Sequence, residues 1–558
     1  MLTLLPLAAA ALRGFSLPGW FLLPESVLLV IPLRILYWEK GGGRWGDYLG
    51  GVLHVYLYFF FLHNTAPLAP YLVAPILGLW WLAERALYFG LKRWAPVALA
   101  GAAAVVAADW FRFQWPMGGV PWGSLAHGMA DRPVAREWAS VIGESGWVVL
   151  LALFGAALYS TFGPKRSRRE HLLEILPAPI LILIAATMVE SRAEMRDSIR
   201  TLSIQGNLSI DEKHGSWGIQ EVLGRQARVT ERGLAAEPET EFVIWCETMY
   251  PIPVTPPKGS EFAETMMIRP WPGREEMRTT EYLRQVNATN IVSLIGPPEL
   301  NRRFITGAHF YLGVPEKEAW RPGEPREPDT WSPRTSEFLA FGPDGTIEDH
   351  FSKSELVPFG ERLPFLGKFP GGEWLALEML RVTRLYPRFA SSGRVGPLNT
   401  RGHVLGGAVC WENVYERVFR DQADQGAEAF LILSNENWYR LSREMDQMVA
   451  STRFRAAETG RPILRAANTG ITALFDDRGA VLGQLPRGVE GWFGADLHLI
   501  DGDFRTPYQR WGWLLQPLTA WLALIGAGIG LILGRRTQAP VGAKEGFEPL
   551  LDPSPGHR

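Results

Sequence analysis

The sequence predicts a multi-pass α-helical membrane block, a soluble α/β domain and one last membrane helix. Three observations carry that prediction. Apolar residues are dense before about Ser198, mixed with charge as far as Ile500, and dense again before a polar tail. In the middle stretch, short β-branched runs alternate with longer helical patterns, which is the pattern of layered α/β folds. Basic residues gather in alternate connections between the apolar runs, as they do in membrane proteins of defined orientation. The expected division is an N-terminal membrane domain of about seven helices over 1–197, a soluble domain over 198–500, a transmembrane helix within 501–534 and a tail over 535–558.

A helix that crosses hydrocarbon needs roughly 17–25 mostly apolar residues. Runs near that length lie at Phe21–Tyr37, Tyr48–Leu62, Leu68–Leu87, Ala95–Phe111, Gly146–Phe162, Leu172–Val189 and Leu514–Leu533. Leu2–Leu12 is shorter. It lacks the basic start and A-x-A pattern of a signal peptide and reads as a short or tilted span. Arg34, Lys40 and Arg44 lie in one connection, Lys92 and Arg93 in another, Lys165, Arg166, Arg168 and Arg169 in a third. Arg535 and Arg536 open the tail. A seven-plus-one count places all four clusters on one side, which the charge rule makes cytoplasmic. Ser198–Ile500 is then extracytoplasmic. The connection Arg112–Glu144, with Arg112, Arg132 and Arg136, opposes that bias. Gly526, Gly530 and Gly534 form a small-xxx-small row suited to close helix packing.

In the soluble domain, Ile199–Gln205, Phe242–Trp245, Ile291–Ile295, His309–Val314, Val404–Val409, Ala429–Ser434 and Ile471–Phe475 read as strands. Gln220–Gly233 and Glu444–Thr459 read as helices. Ser260–Met277 and Leu366–Ser392, which includes Trp374–Tyr386, fit neither pattern. They read either as core packing or as lids that touch lipid.

Composition excludes several functions. A formal net charge of −2 argues against a nucleic-acid partner. Two cysteines, Cys246 and Cys410, cannot make a disulfide scaffold or a cysteine zinc cluster. No HExxH or CxxC motif occurs, so a metal site has no sequence support. Gly143-Glu-Ser-Gly-Trp misses the GxSxG nucleophile elbow, because Trp147 stands at the last glycine.

Three stretches combine an acid, a base and a soft nucleophile. Phe242-Val-Ile-Trp-Cys-Glu-Thr carries Glu247. Phe351-Ser-Lys-Ser-Glu-Leu-Val-Pro-Phe-Gly-Glu carries Lys353 and Glu361. Gly406-Gly-Ala-Val-Cys-Trp-Glu-Asn carries Cys410 and Glu412. The first and third begin as apolar strands that end on the reactive residue. A free thiol, with a pKa near roughly 8.5, needs a base. Glu247, desolvated at a strand end, is the candidate. The turn after Lys353 brings Glu361 back toward its ammonium, where Lys353 can stabilise an oxyanion. Cys246 reads as a buried small hydrophobe, its side chain on the face opposite Glu247.

These motifs resemble those of the nitrilase (carbon–nitrogen hydrolase) superfamily. With membrane helices on both sides, the chain resembles its membrane-embedded, N-acylating branch over nearly its whole length. Ile244-Trp-Cys-Glu-Thr, Lys353-Ser-Glu-Leu-Val-Pro-Phe-Gly-Glu and Cys410-Trp-Glu resemble that branch's base, lysine and nucleophile motifs. Ser434-Asn-Glu-Asn-Trp-Tyr and Arg461-Pro-Ile-Leu-Arg-Ala-Ala-Asn-Thr-Gly resemble the segments that follow. Trp217 stands at a functional tryptophan, and Gly119-Val-Pro-Trp-Gly-Ser-Leu resembles a Gly-x-Pro-Trp motif of the membrane half. Cys246 replaces a proline, Trp411 a tyrosine, and Tyr439-Arg440 a common Phe-Gly.

The resemblance implies a nitrilase-like αββα sandwich with Glu247 as general base, Lys353 as oxyanion stabiliser and Cys410 as nucleophile. Glu361, Glu412, Trp217 and Trp411 support them. It implies a bacterial inner-membrane enzyme, monomeric and without cofactor. Such an enzyme moves an acyl chain from a membrane phospholipid, through a thioester, to the α-amine of a diacylated apolipoprotein. A membrane-anchored amidase with water as acceptor, and a non-catalytic envelope scaffold, are the alternatives.

Overall fold

The computed structural model describes residues 2–20, 23–115, 119–164, 167–213, 219–250, 254, 276–311, 334–362, 389–390 and 395–536. Five helical units in it are long and apolar enough to span a membrane: Ala69–Leu91, Val97–Gln114, Pro133–Phe162, Arg168–Thr187 and Gly512–Ile532. Leu4–Phe15 is a shorter apolar helix. Two expected spans are broken. Phe21–Tyr37 becomes a 3-10 turn, Pro24–Leu29, and a ten-residue helix, Val30–Glu39. Tyr48–Leu62 becomes the helix Arg44–Tyr58 and a second 3-10 turn, Phe60–Asn64. The connection expected over Arg112–Glu144 is mostly helical after Arg132, because the helix Pro133–Phe162 starts early. It kinks at Gly143, where φ is 67° and any Cβ would strike the Tyr508 ring.

Two arginines weighed in the charge count, Arg34 for the bias and Arg112 against it, lie inside the block. Arg34 is buried between Asp47 and Glu84, with its guanidinium 3.7 Å from the Trp81 ring centroid. Arg112 is buried and hydrogen-bonds backbone carbonyls of Val120 and Trp122. Charges inside a membrane block are costly and persist only when paired in this way. The glycine row does what its spacing predicts. Gly526 and Gly530 accept hydrogen bonds from Trp94 Nε1 and Arg93 Nη1, both at 2.8 Å, and Gly530 lies against Gly90.

The soluble domain contains two sheets. The first has the order β13–β1–β2–β3–β4–β5: Gly491–Ile500, Met195–Gln205, Phe242–Trp245, Arg303–Tyr311, Arg334–Phe341 and Ile347–Ser352. The short β6, Phe389–Ala390, pairs with β4. The second has the order β12–β11–β10–β9–β8–β7: Val481–Leu485, Thr472–Phe475, Ile463–Ala467, Ala429–Ser434, His403–Val409 and Leu398–Thr400. Alternation divides the second sheet's side chains. Leu405, Val409, Leu431, Leu433 and Leu464 join the core shared with the first sheet. Ala408, Phe430, Ile432 and Ile463 face the outer helices. Gly407 lies so close to Phe338 and Phe351 of the first sheet that a Cβ would clash.

Helices Ile219–Ala236 and Glu276–Ile295 flank the first sheet, and Glu416–Asp424 and Glu444–Thr459 the second. The result is the expected αββα sandwich. Its outermost helix, Glu444–Thr459, packs on the membrane helix Pro133–Phe162. Ile291–Ile295, expected as a strand, is the last turn of Glu276–Ile295. Asn287, Ile291 and Ile295 are buried at four-residue spacing, so one helical face outweighs the local β preference. The strand expected at His309–Val314 begins earlier, at Arg303. Ser260–Met277 and Leu366–Ser392 lie almost wholly outside the described residues.

Candidate active site

Strand direction brings the chemistry to one edge. β2 is parallel to β1 and β3; β4 is antiparallel to β3 and to β5, so β5 runs with β2. Glu247 follows β2 by two residues and Lys353 follows β5 directly. In the second sheet β8, β9 and β10 are mutually parallel, and Cys410 directly follows β8. Residues just past carboxyl ends of parallel strands commonly form sites in α/β proteins.

Cys410 sits on a sharp strand-to-helix turn. Its φ is 51°, a left-handed conformation that costs a non-glycine residue energy, and it opens the 3-10 helix Cys410–Val414. The thiol is buried, and Glu247 is the carboxylate whose charge acts on it most. Burial and then the Glu247 charge raise its pKa well above the ordinary thiol value, against the pull of Lys353. The resting sulfur is therefore a thiol.

Glu247 is 7% exposed. Its Oε2 accepts the Asn435 backbone N–H at 3.2 Å and its Oε1 lies 3.5 Å from Lys353 Nζ. Burial raises its pKa, Lys353 opposes this, and the Glu361 charge adds to it. Lys353 is fully buried, and its Nζ donates to Glu361 Oε1 at 2.8 Å. Burial pulls the ammonium down, but Glu361, Glu247 and Cys410 outweigh it and hold its pKa well above the usual lysine value. A permanent cation thus stands between two carboxyl groups beside a protonated thiol. Such a set can move the thiol proton to Glu247 and meet a developing oxyanion with Lys353.

Glu361 accepts the Val357 N–H on its second oxygen, at 2.8 Å, so the turn that returns it to Lys353 is closed by the same side chain. Glu412 acts on backbone, not on Lys353 or Glu247. It accepts from Ser354 N, Ser354 Oγ and Glu355 N with one oxygen, and from Val409 N with the other. It therefore clips the lysine loop to the nucleophile turn. Trp411 lies parallel to Trp122, at 5.3 Å between centroids and 3° between planes. Trp411 Nε1 donates to Tyr415 Oη, which donates to the Gly119 carbonyl at 3.3 Å. The membrane-half motif is thereby docked on the residue after Cys410. Cys246 is wholly buried in the sandwich core, and burial pushes its thiol up to about 12. Trp217 lies outside the described residues.

Two features of this site were not read from the sequence. The Asn435 N–H could have been noticed, because it too follows a parallel strand. Glu444 is 1% exposed, with no hydrogen-bond partner on either oxygen among the described residues. Burial holds its pKa well above the usual carboxylate value. As the first residue of a helix it carries no sequence signal of a site.

As a class, a buried carboxyl–ammonium–thiol cluster on an αββα sandwich, anchored by membrane helices, is a membrane-bound protein of carbon–nitrogen hydrolase type. The sequence model of the carbon-nitrogen hydrolase family matches residues 307–501, and that of the apolipoprotein N-acyltransferase N-terminal domain matches residues 8–157. The apolipoprotein N-acyltransferase of Bordetella bronchiseptica is 26% identical over 96% of this chain and 97% of its own length. That of Shewanella oneidensis is 24% identical over 71% of this chain and 66% of its own. A solved carbon-nitrogen hydrolase from Helicobacter pylori G27 aligns over 54% of this chain and 89% of its own at 14% identity and a TM-score of 0.35. The two family models and the curated relatives, not that alignment, carry the assignment. In both its membrane half and its catalytic half the chain is similar to apolipoprotein N-acyltransferases.

Proposed function

We propose that this chain acylates the α-amine of diacylated apolipoproteins, with a membrane phospholipid as donor and Cys410 as acyl carrier. Glu247 takes the Cys410 proton, and the thiolate attacks the carbonyl carbon of a phospholipid ester. Lys353 stabilises the tetrahedral oxyanion. As the intermediate collapses, Glu247 returns the proton to the leaving alkoxide, giving a lysophospholipid and a Cys410 thioester. The lipoprotein amine then attacks, and Glu247 accepts its proton. Collapse expels the sulfur, which recovers a proton, and an amide is released. Glu361 holds Lys353, while Glu412 and Trp411 hold the turn around Cys410.

The contact between Trp122 and Trp411 carries the choice of acyl transfer over simple amide hydrolysis. It joins a loop between membrane helices to the nucleophile turn, so the thiol is built at the surface where lipid substrates lie. One chain contains both parts, and a monomer suffices. The catalytic domain is read as extracytoplasmic on the bacterial inner membrane.

The test supplies phospholipid alone to purified protein. The mass of one acyl chain should appear on Cys410 with little free fatty acid. A diacylated lipopeptide should discharge it, and N-acetylation of that peptide should block discharge. Steady fatty-acid release, or indifference to the amine, would establish a hydrolase instead.

A further inference from the structure

A cavity of about 210 Å³ lies between the membrane block and the catalytic domain, outside the cluster around Cys410. Its apolar side is formed by Trp110 and Phe113, near the end of Val97–Gln114, and by Trp513 and Pro517 around the start of the last helix. Aromatic side chains at the ends of membrane helices mark the headgroup level of a bilayer. The opposite wall is polar. It includes Arg417, paired with Glu355 at 2.7 Å, Arg420, paired with Glu416 at 3.0 Å, and the uncapped first turn of the nine-residue helix Glu416–Asp424. A helix N-terminus with guanidinium groups beside it favours an anion.

Side chains in this wall lack partners. Tyr508 and Gln516 are each 1% exposed, yet among the described residues Tyr508 Oη and Gln516 Nε2 have no hydrogen-bond partner, and neither do Ser145 Oγ and Glu416 Oε2. Buried polar atoms are nearly always satisfied, so unpartnered hydroxyl and amide donors around one cavity call for a ligand. Carboxyl groups line it too. Glu416 faces Arg420 at 3.0 Å, and Glu144 and Glu458 face Arg455 at 2.9 and 2.8 Å; burial raises Glu458 to about 8 and lifts Glu416 as well.

We infer that this cavity binds the phosphodiester of a membrane phospholipid, held by Tyr508, Gln516, Ser145 and Arg420 as an accessory site separate from Cys410. The inference goes beyond the proposed reaction, which engages lipid only at the thiol.

The experiment counts dialkyl phosphatidylglycerol molecules retained by the full-length protein in native mass spectrometry; its ether linkages prevent acylation. The double variant Tyr508→Phe with Gln516→Leu should retain one lipid fewer and bind that lipid about thirty-fold more weakly, the loss of two hydrogen bonds. Tyr508→Phe alone removes just a hydroxyl and should give a smaller loss in the same direction. Thioester formation on Cys410 from a diacyl phospholipid should stay near the unsubstituted rate. Unchanged stoichiometry and affinity in both variants would overturn the inference. Equal retention of dialkylglycerol would remove the phosphodiester from it, and displacement of the lipid by inorganic phosphate would make this a free-phosphate site. Weaker retention in a protein that never acylates Cys410 would leave the accessory site standing and sink the proposed function alone.

Discussion

Replacing Glu361 with glutamine tests the electrostatic core of the site. At the 2.8 Å that separates Lys353 Nζ from Glu361 Oε1, unit charges interact by about 6 kcal/mol at an effective dielectric of ~20. At the 3.5 Å to Glu247 the figure is about 5 kcal/mol. Glu361 therefore supplies slightly more than half of the compensation for an ammonium with no exposure to water. Breaking a buried pair costs about 3–5 kcal/mol. A displaced Lys353 also forfeits oxyanion stabilisation worth roughly 3–4 kcal/mol, so acylation of Cys410 should slow by about 10²–10³-fold. The pH dependence has a definite sign. The Glu361 charge helps to keep the Glu247 pKa above the usual carboxylate value. Glutamine removes that charge, so Glu247 ionises at lower pH. The rate rises with pH as Glu247 loses its proton, and this acid limb should move to lower pH. The assay is single-turnover thioester formation from phospholipid, followed by intact mass across pH. An acid limb that stays in place or moves upward, or a full rate in the variant, would refute the reasoning.

Cys410→Ala, Glu247→Gln and Lys353→Met should each abolish acyl transfer, with membrane insertion and expression near normal by immunoblot. Cys246→Ala, a small core truncation remote from the proton path, should keep activity and lower stability by about 1 kcal/mol in thermal unfolding; an inactive Cys246→Ala beside an active Cys410→Ala would reverse the nucleophile assignment. Trp122→Ala removes a parallel aromatic contact worth about 0.5–1.5 kcal/mol beyond its buried area, so single-turnover acylation should fall roughly tenfold while Trp122→Phe largely restores it. A reporter fused after Glu190 should behave as extracytoplasmic and one after Arg536 as cytoplasmic; both on one side would refute the proposed orientation.

Motifs whose chemistry is local were legible in the chain itself. Three apolar strands ending on Glu247, Cys410 and Ser434 announce themselves through short β-branched runs, and burial on both faces leaves such strands no polar alternation to hide in. The apolar stretches of the membrane block were legible for the same reason, since hydrocarbon admits few polar residues. Strands interrupted by polar residues were not. Arg334–Phe341 and Gly491–Ile500 carry charge and glycine, and only pairing with β3 and β1 makes them strands. Ile291–Ile295 shows the converse, a β-branched run held helical by its buried face.

What the chain determined by itself was the set of reactive residue types and the division into lipid-facing and water-facing parts, because both follow from side-chain chemistry over short spans. The tertiary structure alone decided which charges are compensated. Arg34 and Arg112 look like loop cations in the sequence and are buried partners inside the block. Glu412 looks like a third acid and proves to be a backbone clip. Trp122 and Trp411 lie 289 positions apart, and no local pattern predicts that they stack. Such pairings depend on distances between segments remote in sequence, and only packing fixes those distances.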